Sequence, residues 1–146
     1  MIFHISIPAR EPDEVAAALA SLTGGRDFPF HPIAGARIVL LGDADGAAIE
    51  VYPETVELAP GRTMVETRSA EARDRYPMHA ALATPHGQEK VLAMARERGW
   101  TARLCDRGPF ELIEVWVENR FLVELLTPDM QADYRASMTQ ENWARW

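Results

Sequence analysis

Cysteine is almost missing from this chain. Cys105 is the only one among 146 residues, so no internal disulfide can form and the fold must rest on an apolar core. Long apolar runs are missing too. None approaches the roughly 18 residues of a membrane span, which excludes a membrane helix. A basic surplus is also missing. Fifteen Lys and Arg stand against 22 Asp and Glu, a net charge of −7, and phosphate contacts need a positive surface, so nucleic acid is excluded as a partner. The first residues show neither a basic n-region nor an apolar h-region, so no signal peptide is expected. Together these absences predict a cytoplasmic protein. Within the strand-like run Thr101–Cys105, Cys105 reads as a small packing residue rather than a reactive thiol.

What is present is ordinary globular material: 47% apolar and 25% charged residues, enough for one domain over residues 1–146. Within it the chain repeats itself. His4 stands in Phe3-His4-Ile5-Ser6-Ile7, and His79 in Met78-His79-Ala80-Ala81-Leu82. Each is followed by a helical pattern and later by an apolar run with one Glu. That run is Ala48-Ile49-Glu50-Val51-Tyr52-Pro53 in the first half and Leu122-Val123-Glu124-Leu125-Leu126 in the second. The His-to-Glu separations are 46 and 45 residues.

Local signals fill in the elements. Period 2 over residues 2–7 puts His4 and Ser6 on one face, and Pro8 is expected to end the strand. Pro12 opens a helix with Asp13 and Glu14 in its first turn, and Gly24-Gly25 stops it. Arg37–Leu41 and Ala47–Tyr52 read as strands joined by the turn-rich Gly42–Gly46, and Arg26–Ile33 as an edge strand or a loop. In the second half a strand at 79–83, a helix at 89–98 and strands at 100–105, 110–117 and 121–126 follow in the same order. Thr127-Pro128-Asp129 starts a C-terminal helix, and Thr139 a last turn. Each half is therefore β-α-β-β-β: a first unit at about 2–53, a second at about 78–127 and a helical segment at 128–146. The charged stretch 54–77 between them is either a flap or a solvated crossover with a hairpin of its own.

This pattern resembles the vicinal oxygen chelate superfamily, which includes glyoxalase I, methylmalonyl-CoA epimerase, extradiol dioxygenases and the fosfomycin and bleomycin resistance proteins. The likeness spans Ile2 to Pro128. It implies an α+β fold in which two βαβββ repeats curl into a cupped half-barrel, followed here by a C-terminal helix. It also implies four metal ligands in chain order, which fall on His4, Glu50, His79 and Glu124. Bacterial glyoxalase I has the same His-Glu-His-Glu order. Where glyoxalase I holds glutathione, however, this chain has Pro8 and Glu54, so the glutathione site does not carry over.

The chemistry of the residues agrees with that set. A carboxylate among Ile49 and Val51, or Val123 and Leu125, is costly to bury unless paired or bound to a cation. Taken singly, a His in a strand is more often a hydrogen-bonded structural residue, and such a Glu more often faces solvent from an edge strand. Four at repeat-related positions suit one divalent ion such as Zn, Ni, Mn, Co or Fe.

The implied chemistry is Lewis-acid isomerisation, epimerisation or lysis of a small molecule that chelates the ion through neighbouring oxygens. Glu50 or Glu124 would double as general base. Glu114 is a further acid or base if its strand face is the ligand face, which parity leaves open. Ser6, Tyr52 and Trp116 are candidate substrate contacts. Two rivals stand beside this reading: a dioxygenase, and a metal-free antibiotic-binding protein. The surplus of Trp100, Trp116, Trp143, Trp146, Met130 and Met138 predicts a homodimer.

Overall fold

The described residues form strands and helices in the following chain order. They are β1 (His4–Ala9), α1 (Pro12–Thr23), β2 (Arg26–Pro29), β3 (Arg37–Leu40), β4 (Ala48–Pro53), β5 (Val56–Pro60), β6 (Val65–Ser69), β7 (His79–Ala83), α2 (Gln88–Glu97), β8 (Thr101–Asp106), β9 (Glu111–Val117), β10 (Phe121–Leu126), α3 (Pro128–Ser137) and α4 (Gln140–Trp143). The computed structural model describes residues 3–42, 46–60, 65–73 and 78–144. The expected turn positions Asp43, Ala44 and Asp45, and the terminal Trp146, lie outside these residues. The chain divides into two compact units, Met1–Tyr76 and Pro77–Trp146.

In the first unit the sheet order is β1-β4-β3-β2, with β1 parallel to β4 and the other pairs antiparallel. A parallel neighbour demands a crossover, and α1 supplies it. Pro12 lies in the first turn of α1 with Asp13 and Glu14, and Gly24 closes it at φ 76°. Val15, Leu19 and Leu22 are fully buried, as are Val39, Ile49 and Val51 on the strands that α1 touches.

β1 does not end at Pro8. It runs on to Ala9, with Pro8 opposite Tyr52. The reason is that β1 is an edge strand, where the N–H that proline lacks has no ladder partner to lose. Arg26–Pro29 is the other edge of the same sheet. β5 and β6 pair only with each other, so the stretch between the repeats carries a hairpin of its own.

The second unit repeats the plan, with sheet order β7-β10-β9-β8 and β7 parallel to β10. Val91 and Ala95 of α2 are fully buried, together with Ile113, Val115 and Leu125 of the sheet. Thr127 caps α3 by accepting a hydrogen bond from the Met130 N–H at 3.4 Å, with Pro128 in the first turn. Met130 is buried there, so it belongs to the core rather than to a surface. Between β9 and β10, Glu118 and Asn119 both adopt positive φ, 51° and 57°. The Asn119 side chain then accepts from the Thr101 N–H at 2.8 Å and donates to the Gly99 carbonyl at 3.0 Å, tying the start of β8 to the turn.

One glycine is constrained by space rather than by conformation. A Cβ on Gly25 would run into the backbone carbonyl of Leu40, whereas one on Gly42 would meet nothing. Gly25→Ala should therefore destabilise the protein by about 1–3 kcal/mol, the usual range for overpacking against atoms that cannot move aside. Gly42→Ala should stay within about 0.5 kcal/mol. Urea unfolding of both variants checks this; equal midpoints would contradict the packing of the α1–β2 corner.

Candidate functional site

Strand pairing decides which side chains share a face, and it sets the same diagonal in both units. Ser6 lies opposite Glu50 across β1 and β4, and His4 one pleat earlier lies opposite Ala48. Ala81 lies opposite Glu124 across β7 and β10, and His79 one pleat earlier lies opposite Leu122. In each unit the His and the Glu are thus diagonal neighbours on adjacent parallel strands. Continued across the sheets, the first unit reads Ser6, Glu50, Ile38, Phe28 in one row. The second reads Ala81, Glu124, Glu114, Arg103. The repeats match in register and differ in chemistry.

Glu50 is held by hydroxyls. Ser6 Oγ donates to Glu50 Oε2 at 3.0 Å, and the Tyr52 hydroxyl donates to the same oxygen at 2.5 Å. Tyr52 sits one pleat along β4 and is stacked on Phe30 at 6.1 Å between ring centroids. Burial first, and the neighbouring Glu50 carboxylate second, push the Tyr52 phenol above its ordinary value. It stays a donor at neutral pH, which keeps the Glu50 oxygen in a fixed place.

The second unit uses guanidinium groups instead. Glu114 is 5% exposed and lies directly opposite Glu124. Two carboxylates in that relation repel, and both cost desolvation energy. Arg103 compensates Glu114 through Nε at 2.8 Å and Nη2 at 2.7 Å, both to Oε2. Arg107 Nη2 bridges the pair, at 2.7 Å from Glu114 Oε1 and 3.0 Å from Glu124 Oε1. His79 Nε2 stands 3.7 Å from Glu124 Oε2, on the carboxylate's other oxygen. For Glu114, burial pulls the pKa upward, but the hydrogen bonds from Arg107 and Arg103, with a contribution from Cys105, outweigh it and the net shift is downward. Trp116 is half-buried on the same face, one pleat from Glu114 and opposite Leu122.

Glu114 therefore shares its face with Glu124, the alternative that parity had left open. It is held ionised there between two cations. Ser6 and Tyr52, expected as substrate contacts, turn their hydroxyls to Glu50. Arg103 and Arg107 were not anticipated. The signal was available: Arg103 shares strand parity with Thr101 and Cys105, the side that faces Glu114 across β8 and β9. Arg107 lies beyond the end of β8, where parity stops helping.

The donor set suits a divalent ion half by half. Each unit offers one imidazole and one carboxylate from adjacent strands, and the Glu50 carboxylate is further oriented by two hydroxyls, as ligating carboxylates usually are. Among the described residues, however, no three His, Cys, Asp or Glu side chains form a cluster that would hold a metal. Among the described residues, Arg107 on Glu124 is the contact at odds with ligation.

No protein-family model and no curated protein sequence matches the chain. Solved structures do. A fosfomycin resistance protein, FosX, from Mesorhizobium loti aligns at 12% identity and TM-score 0.56 over 90% of this chain and 95% of its own. A mutant of FosX from Listeria monocytogenes, complexed with Mn(II) and 1S,2S-dihydroxypropylphosphonic acid, aligns at 12% identity and TM-score 0.59 over 93% and 96%. A possible glyoxalase from Bacillus cereus aligns at 14% identity and TM-score 0.51 over 86% and 96%. The chain has the glyoxalase-like fold of these neighbours. Among the described residues no helix is long and apolar enough to cross a membrane.

The Arg–Glu network has a pH signature. Glu114 has its folded pKa below the ordinary 4.5, so it stabilises the fold above about pH 4.5. That contribution is lost as pH falls through the lower folded value. Glu114→Gln should cost about 1–2 kcal/mol at pH 7, discounted because the arginines are partly in water. The gap from wild type should close in acid. Denaturation of both proteins at pH 7 and at pH 3 measures it; a gap that stays constant would contradict the ion-paired state.

Proposed function

We propose that the chain is a divalent-metal-dependent enzyme acting on a small molecule that chelates the ion through neighbouring oxygens. His4, Glu50, His79 and Glu124 are the ligands, and the reaction class is isomerisation, epimerisation or lysis. One observation carries this reading: the same His–Glu diagonal recurs in both units while the residues around it have diverged. The glyoxalase-like fold supports it, and so does the Mn(II) bound by one FosX neighbour.

When bound, the ion supplies a Lewis acid for the substrate oxygens. The chain's own residues do the rest. Glu50 is the base that takes a proton from the substrate carbon. Tyr52 and Ser6 hold its Oε2 by hydrogen bonds and so aim the carboxylate. Glu124 and His79 bind as the second donor pair. Glu114 stays ionised and balances the arginines. Trp116 offers an apolar wall to the substrate.

A second reading is resistance to an anionic antibiotic. Arg103 and Arg107 favour it. In the second unit two arginines balance Glu114 and Glu124, so an added divalent cation would leave a local positive surplus that an anionic group such as a phosphonate satisfies. The dioxygenase reading is weaker, because four protein ligands leave fewer open positions for oxygen.

Purified protein should carry about one divalent ion per chain by elemental analysis. Calorimetric titration of metal-stripped protein with Mn²⁺ or Zn²⁺ should give a defined site, and Glu50→Gln and His79→Ala should each weaken it by at least about tenfold while leaving the far-ultraviolet dichroism unchanged. Wild-type protein that takes up no metal, or variants that bind as well as wild type, would overturn the reading. Phe28, Leu40 and Leu58 are large apolar residues left exposed, and with them we expect a homodimer. Light scattering at micromolar concentration should return twice the 16.3 kDa chain mass; a monomer would reject the dimer and leave the metal reading intact.

A further inference from the structure

We infer that Arg107 is a latch on Glu124: an internal cation that occupies the carboxylate in the absence of metal and must be displaced when an ion binds. The inference rests on the reading that Glu124 is a metal ligand.

The geometry makes the contact exclusive. Arg107 Nη2 lies 3.0 Å from Glu124 Oε1, a direct charge-assisted hydrogen bond. A divalent ion held by Glu124 and His79 would bring two positive charges against a third, so guanidinium and ion compete for one carboxylate.

The surroundings make displacement feasible. The Arg107 side chain is 39% exposed, so it can release Glu124 toward water without leaving a buried charge. Glu114 would not be stranded, because Arg103 holds its Oε2 independently by two bonds. The base of the latch is rigid. The Arg107 N–H donates to the Phe110 carbonyl at 2.9 Å, and Asp106 Oδ1 accepts from the Gly108 N–H at 2.6 Å, with Gly108 at φ 86°. Motion is therefore confined to the side chain.

Among the described residues of the first unit no cation contacts Glu50. Glu50 is compensated there by neutral hydroxyls, which orient a ligand without competing for its charge. The two halves of the donor set thus differ in readiness: Glu50 is presented to a cation, whereas Glu124 has to be freed. Arg107 sets the metal affinity and, once displaced from Glu124, is left with Glu114 as its partner beside the ion.

The test is calorimetric titration of the full-length metal-stripped chain with Mn²⁺ for wild type, Arg107→Gln and Arg103→Gln. Arg107→Gln should bind the ion at least about tenfold more tightly, equivalent to about 1.4 kcal/mol. Arg103→Gln, which touches Glu114 and not Glu124, should stay within about threefold of wild type. A second readout is the Arg107 guanidinium Nη–H signal, the group that touches Glu124, assigned by its loss in Arg107→Gln. It should exchange slowly with solvent before Zn²⁺ is added and faster afterwards.

If Arg107→Gln fails to fold, Arg107→Met is read in its place, because it keeps the apolar stem and carries no charge to compete with the ion. Wild type and the Arg107 variant binding with equal affinity would overturn the latch and leave the metal reading standing. Weaker binding by the variant would also overturn the latch, since Arg107 would then assist the ion. No metal on any of the proteins would overturn both.

Discussion

A carboxylate set among apolar strand residues must be compensated where it stands, since neither water nor the sheet can do it. Three glutamates impose that condition on the two sheets, and the residues around them are arranged to meet it. Glu50 is met by Ser6 and Tyr52, both neutral donors on one oxygen. Glu114 and Glu124, forced face to face by the β9–β10 register, are met by Arg103, Arg107 and His79. Were the arginines absent, two like charges would stand opposite each other on neighbouring strands, one of them 5% exposed.

The two repeats solve the same problem by different means. Ile38 in the first unit holds the position that Glu114 holds in the second, and Phe28 holds that of Arg103. The helix-covered sides have not diverged in kind. Val39, Ile49 and Val51 in one, and Ile113, Val115 and Leu125 in the other, are closed against a helix. Packing tolerates only apolar residues of similar volume there. The glutamate-bearing side is under no such restriction, so it is where the repeats became chemically distinct.

Much of the architecture was legible because its signals are local. The Pro12 start and Gly24 stop of α1, the Thr127 cap of α3 and the period 2 of His4–Ile7 in β1 can each be read within a few residues. The end of β1 was misread because a proline's effect depends on which edge of the sheet it faces. The hairpin β5–β6 stayed undecided because Val56–Pro60 and Val65–Ser69 are only five residues each, too short to show a period. The face of Glu114 stayed undecided for a different reason: parity says which residues of a strand go together, not which side is covered.

By itself the sequence determined the two βαβββ units, the position of each His and Glu within them, and the sharing of one strand face by His4 with Ser6 and by Glu50 with Tyr52. All of these follow from spacing along one strand or between repeats. Only the tertiary structure decided how each carboxylate is neutralised. That depends on cross-strand register and on side chains that arrive from beyond a strand's end, as Arg107 does. A difference of one residue in the pairing of β8 with β9 would turn Arg103 to the other face and leave Glu114 with Arg107 alone of its two arginines.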